Sequence, residues 1–181
     1  MPEQMAALFD QNRAVFMSYA HVDNESDDLK QRWLDRFLQF LSPLVRQEDL
    51  TVWSDKEIKI GDDWHERIQA QLKAAKAVVL LVSPAYLASD YIVTNELPVL
   101  LKNAADQGVK IMPIIISPCL FKRTKFKYPD PRKGPQEFTL ASIQSANPPS
   151  KTLVEMDEGE QNRVLLAVAE QLADLLGENP K

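Results

Sequence analysis

Four serines close apolar runs in this chain: Ser18 after Ala14–Met17, Ser54 after Leu50–Trp53, Ser83 after Ala77–Val82 and Ser117 after Val109–Ile116. Singly, each is a common turn former. Gathered on one edge, they describe a polar rim rich in hydroxyls. Other chemistry-bearing types are scarce. The two histidines, His21 and His65, are read as residues of surface loops or helix starts, and no Ser-His-Asp order is convincing. Cys119 is the one cysteine, so no disulfide can form within the chain. Two histidines and one cysteine nearly exclude a Cys/His zinc site, although carboxylates could still bind a metal. The five glycines, Gly61, Gly108, Gly134, Gly159 and Gly177, cannot build a GxGxxG or Walker-type loop. Lys122-Arg123-Thr124-Lys125-Phe126-Lys127-Tyr128, with Arg132 and Lys133, interleaves basic and aromatic residues. It is read as a solvated loop rather than a nucleic-acid patch, because the chain as a whole carries a net charge of -5.

The elements that must position the serines follow from periodicity. Ala14–Tyr19, Leu50–Ser54, Ala77–Val82 and Val109–Ile116 read as strands. Ala77–Val82 is apolar without alternation, which predicts burial on both faces. Pro113 points to an edge position or a bulge for the fourth strand. Helical spacing runs through Leu29–Val45, with acidic Asp27 and Asp28 at its entry, and through Trp64–Ala75 and Glu160–Leu176. A further helical region opens at Pro84 and runs to about Ala105, kinked or broken by Pro98, with Gly108 at its exit. Residues 117–150 hold six of the twelve prolines and read as a long irregular segment, with Phe138–Ile143 as a short fifth strand. Alternating strands and helices imply right-handed crossovers on a parallel sheet. The fold expected is a flavodoxin-like three-layer α/β sandwich with a central parallel sheet of four to five strands. In such sheets ligands bind beyond the carboxyl ends of the strands, where the serines lie.

Three blocks, in order, resemble the TIR (Toll/interleukin-1 receptor) domain, especially its bacterial members. They are Val15-Phe16-Met17-Ser18-Tyr19-Ala20; Trp53-Ser54-Asp55 through Ile58, Gly61 and Trp64; and Val78 to Ser83 followed by Pro84-Ala85-Tyr86-Leu87-Ala88-Ser89-Asp90-Tyr91, ending at Asn95-Glu96-Leu97. The resemblance covers roughly residues 12–176. It implies cleavage of NAD+ into nicotinamide and ADP-ribose or a cyclic product, with Glu96 as the catalytic glutamate on the helix after the third strand. By the same resemblance Ser18 and Tyr19 line the pocket, Asp55 flanks the ribose and nicotinamide end, and Ser83 forms the floor. Trp53 reads as core. The family often places a tryptophan four residues before the glutamate; this chain has Ile92 there, so Tyr91 is the candidate to stack on nicotinamide. The loop of Lys56, Ile58, Lys59, Ile60, Gly61 and Asp62 corresponds to the BB loop, a natural contact for self-association or for other TIR domains.

One carboxylate suffices for this chemistry in principle. Nicotinamide is attached as a pyridinium and departs neutral, so it needs no general acid, unlike an ordinary sugar leaving group. The oxocarbenium-like ribose needs stabilising, and a carboxylate near the developing charge stabilises the transition state selectively. Water or the adenine of the same molecule then captures the ribose. Pro98, two residues after Glu96, frees the carbonyl of Thr94, and the resulting kink is expected to aim Glu96 into the crevice.

At 181 residues, 45% hydrophobic and 26% charged, the chain suits one globular domain with its own core. Residues 1–13 read as a lead-in, 14–176 as the domain, and 177–181 as a tail or a truncated linker to a further domain. No apolar run approaches a membrane span, no secretory signal is evident, and a single cysteine suits a reducing compartment, so a cytoplasmic location is expected. NAD+ enters as substrate; no cofactor, resident metal, nucleic acid or membrane partner is expected. The expected role is bacterial antiphage defence or interference with host signalling. Two other functions compete: a non-catalytic TIR–TIR adaptor, which would need the fold but not Glu96, and a deoxyribosyltransferase-like enzyme, which would need a nucleophilic carboxylate closer to the sugar.

Overall fold

The computed structural model describes residues 14–54, 64–128 and 132–176, with only the backbone of Trp64, His65 and Tyr128. Strands β1 (Ala14–Tyr19), β2 (Thr51–Ser54), β3 (Ala77–Val82) and β4 (Lys110–Ile115) form one sheet in the order β2-β1-β3-β4. Every pairing in it is parallel; Phe16 lies opposite Trp53 on one side and Val78 on the other. The order reverses between β1 and β3, because the chain leaves β1 for one side of the sheet and returns on the other. That reversal opens the crevice where ligands bind in such folds.

Six consecutive apolar residues in β3 mean that both its faces are covered, and all six are buried. Alternate residues feed two cores. Val15, Met17, Tyr19, Ala77, Val79 and Leu81 face helices α1 (Trp33–Arg46) and α5 (Glu158–Leu176), which contribute Leu34, Phe37, Leu41, Leu165, Val168 and Leu172. Phe16, Val78, Leu80 and Val82 face helices α2 (Trp64–Ala74) and α4 (Leu97–Gln107), which contribute Ile68, Leu72, Leu97 and Leu100. Each large side chain in these layers contributes about 1.5–3 kcal/mol by leaving water. The layers are helix, sheet and helix, as the periodicity predicts.

Three local expectations change. Helix α1 begins at Trp33, not Leu29: residues Leu29–Gln31 form a short 3-10 turn, and Asp28 caps that turn by accepting from the Lys30 N–H at 3.0 Å. The first turn of α1 is capped instead by Asn24, whose Oδ1 accepts from the Asp35 N–H at 3.0 Å. The basic-aromatic stretch is partly ordered as strand β5 (Lys125–Tyr128), paired antiparallel with β6 (Gln136–Thr139). Phe126 anchors this hairpin in the α4 core, and Lys125 pairs with Glu137 at 3.1 Å. The strand expected at Phe138–Ile143 therefore lies mostly earlier, ends in a 3-10 turn at Leu140–Ser142, and joins the hairpin rather than the main sheet.

The Pro113 expectation holds. β4 is an edge strand, and Pro113 spends its missing N–H on the outer side, where its carbonyl accepts from the Ala146 N–H at 2.8 Å. Gly108 exits α4 in the left-handed region at φ 70°, where a side chain would be strained. Among the described residues no helix is long and apolar enough to cross a membrane.

Candidate active site

The site grows from the carboxyl ends of β1 and β3. Ser18 lies one residue before the end of β1, on the face opposite Met17 and Tyr19, and is buried, 1% exposed. Ser83 follows β3 and caps the short helix α3 (Pro84–Ala88), accepting from the Tyr86 N–H at 3.0 Å. Pro84 suits the first position of that helix, where an N–H would have no partner. The cap sets the start of α3, and Tyr86, one turn in, is fully buried with its phenol against Ser18 at 2.9 Å.

Glu96 arrives on an unusual turn. Residues Ile92–Glu96 form a π-helical turn in which the Leu97 N–H reaches back five residues to the Ile92 carbonyl. Pro98 follows at once. It lacks the N–H that would bond Thr94, and its ring crowds that carbonyl, so a wider turn relieves both problems. The carbonyl of Asn95 also accepts from Gln69 Nε2 of α2 at 3.2 Å, which ties the wide turn to its neighbour. Ile92, Glu96, Leu97 and Leu100 are the buried residues of this stretch. Glu96 thus occupies a core-facing position four residues after Ile92, where the helix otherwise presents hydrophobes.

Glu96 is 2% exposed, and its carboxylate accepts from the Ser18 hydroxyl at 2.7 Å, a short charge-assisted bond. A serine carries a single hydroxyl proton. With that proton given to Glu96, the bond between Ser18 and Tyr86 is donated by the phenol. Burial first, and then the nearby Glu96 charge, push the Tyr86 pKa well up, against the lowering effect of the Ser18 bond. The phenol therefore stays protonated and can serve as that donor. Tyr86, Ser18 and Glu96 form an oriented chain from α3, through β1, to the π-turn.

A second carboxylate is tied to Tyr86 through Ser83. Directly after β1 a 3-10 turn, His21–Asn24, brings Asp23 back to accept a short hydrogen bond from the Ser83 hydroxyl. Burial raises the Asp23 pKa, and the Ser83 bond partly offsets the rise.

A family model described as the TIR domain matches residues 15–145. The chain belongs to the TIR domain family. A relative, the uncharacterized protein y4lF of Sinorhizobium fredii (strain NBRC 101917 / NGR234), is 29% identical over 113 residues, 62% of this chain and 33% of that protein. The chain thus spans about a third of that relative's length. Among solved structures, the TIR domains of the activated Roq1 resistosome directly recognizing the pathogen effector XopQ align with a TM-score of 0.45 at 14% identity, over 90% of this chain and 84% of that one.

Of the site residues that the TIR resemblance implies, Ser18 and Glu96 meet. Ser83 lies on the same rim, but its hydroxyl serves Asp23 and α3. Tyr19 alternates to the other face of the sheet, packs in the α1 core and meets exposed His21 with ring centroids 5.3 Å apart and planes tilted by 44°. Tyr91 is half-buried at the start of the π-turn and packs, like Trp53, against the α4 core. Asp55, Lys56, Ile58, Lys59, Ile60, Gly61 and Asp62 lie outside the described residues. Ser54 is buried at the end of β2, and Ser117 is half-buried. Cys119 is half-buried, and burial pushes its thiol pKa up, which suits an unreactive cysteine.

Two residues escaped the sequence reading. Tyr86 carried a usable signal, since it falls in the third TIR-like block, one turn into a helix opened by Ser83-Pro84. Asp23 carried none, because its approach to Ser83 is made by a turn that no local pattern announces.

Proposed function

We propose that this TIR domain cleaves NAD+ to nicotinamide and ADP-ribose or a cyclic ADP-ribose, with Glu96 as the catalytic carboxylate. The observation that carries this reading is the buried Glu96 carboxylate, held by Ser18 at 2.7 Å beside the β1–β3 reversal. A carboxylate so withdrawn from water acts strongly on a positive charge brought beside it. The reaction creates such a charge on the ribose as neutral nicotinamide leaves. Ser18 and Tyr86 fix the carboxylate's direction before the charge develops, so little reorganisation is needed at that moment.

Glu96 is nearly inaccessible in the conformation described, so turnover requires an opening that admits the ribose. In this reading self-association supplies the opening, and activity rises more than linearly with protein concentration. The role expected is immunity of the producing cell or interference with host signalling.

The burial of Glu96 also favours a second reading, a non-catalytic TIR interaction module in which the Tyr86–Ser18–Glu96 chain only ties helix to sheet. Nicotinamide release from NAD+, measured at high protein concentration for the parent and Glu96→Ala, decides between them. Release by the parent alone supports the NADase. Release by both displaces Glu96 from its role. Release by neither, even with artificial clustering, leaves the interaction module.

A further inference from the structure

We infer that Asp23 is a second functional carboxylate of this site and takes the proton from the water that captures the ribose. The inference rests on the NADase reading and adds a role that Glu96 cannot fill easily. Glu96 Oε2 is engaged by Ser18 and its residue is 2% exposed, a setting suited to holding positive charge rather than to exchanging protons with solvent. Asp23 has the opposite setting on the same rim. Its Oδ2 is fixed by the Ser83 hydroxyl, and Ser83 is in turn fixed by the Tyr86 N–H at 3.0 Å. Its Oδ1 has no hydrogen-bond partner among the described residues and is not among their buried, unsatisfied atoms, so it is open to solvent. With one oxygen anchored, the open oxygen keeps a fixed direction from which it can take a proton within hydrogen-bond reach. Burial raises the affinity of this carboxylate for a proton, which strengthens it as a base.

The step balances without a co-reactant. The water oxygen bonds to the anomeric carbon of the nicotinamide ribose. The carbon–nitrogen bond breaks with its electron pair going to nicotinamide, and the water proton moves to Asp23 Oδ1 and then to solvent. If a pyridine attacks instead of water, its nitrogen bonds to the anomeric carbon, the same bond to nicotinamide breaks, and no proton moves.

That difference provides the test. Parent, Asp23→Asn and Glu96→Gln are incubated with NAD+ in the presence and absence of acetylpyridine, and both ADP-ribose and the exchanged dinucleotide are quantified. Asparagine keeps an oxygen to accept from Ser83 and removes only the base. Asp23→Asn is expected to lower hydrolysis about 100-fold while base exchange stays near the parent level; Glu96→Gln is expected to lower both. Equal loss of both reactions in Asp23→Asn, with no loss of melting temperature, overturns the inference and makes Asp23 a positioning residue. Unchanged hydrolysis overturns it as well. If the parent performs neither reaction, the NADase reading falls and this inference falls with it.

Discussion

Glu96 and Asn147 are equally withdrawn from solvent, each 2% exposed, and both are polar residues set against the sheet. They are used differently. Asn147 sits along the β4 edge and imitates a strand: its Oδ1 accepts from the Ile115 N–H, and its Nδ2 donates to the Ile115 and Lys151 carbonyls, at 2.9, 2.9 and 3.1 Å. The group is neutral, and its partners are backbone atoms. It covers a sheet edge that would otherwise invite pairing with another chain. Glu96 brings an ionisable group inward and accepts from the Ser18 hydroxyl, which is backed by the Tyr86 phenol of a capped helix. Burial alone therefore does not mark a functional residue. What separates the two is whether the buried group completes the backbone or, in the function proposed, holds a charge that a ligand meets once the site opens.

The comparison can be broken most sharply at Glu96. Glu96→Gln keeps the shape and removes the charge; nicotinamide release is expected to fall on the order of 100- to 1,000-fold, with no loss of melting temperature. A large drop in melting temperature would instead make Glu96 structural, like Asn147. The reverse pattern is expected of Asn147→Ala, which strands two backbone groups of Ile115: stability falls about 2–4 kcal/mol in denaturant unfolding, while activity per folded molecule is retained.

Tyr86→Phe removes the phenol that supports Ser18. The loss of about 1 kcal/mol in transition-state stabilisation corresponds to roughly fivefold in kcat. Little change in KM is expected, because the phenol lies behind Ser18. Pro98→Ala restores the N–H that can bond Thr94 and should let the π-turn relax to an α-turn; turnover falls less than in Tyr86→Phe, and unchanged activity with an unchanged turn would free Glu96's orientation from the proline.

The smallest effect on stability belongs to Asp23. Its folded-state pKa is raised, so protonated Asp23 favours the fold at acid pH, and that advantage is lost as pH rises through the raised value. Asp23→Asn should therefore melt higher than the parent at neutral pH, and the difference should vanish below about pH 4. A constant difference across the pH range would remove the burial cost from the account.

Much of this arrangement could be read before any coordinates. Unbroken apolarity in Ala77–Val82 announces a strand buried on both faces, and Pro113 announces an edge or a bulge, of which the edge is found. Ser18 and Ser83 could be placed at strand ends because β periodicity is local. The hairpin of β5 and β6 was harder, since Phe126 takes its role from packing on α4 and not from its neighbours in sequence. Tyr19 shows the same limit: the TIR resemblance implied a pocket shared with Ser18, and strand alternation sends the two side chains to opposite faces.

By itself the sequence determined the four strands, the helices between them, the parallel α/β class and the TIR resemblance, all of which depend on periodicities and motifs within a few residues of each other. Only the tertiary structure decided that Tyr86, Ser18 and Glu96 form one chain, that Ser83 serves Asp23, and that Asn147 closes the edge. Those contacts join residues 68, 78, 60 and 32 positions apart. A hydrogen bond needs its atoms within about 3 Å, and which distant groups come that close is set by how the layers pack.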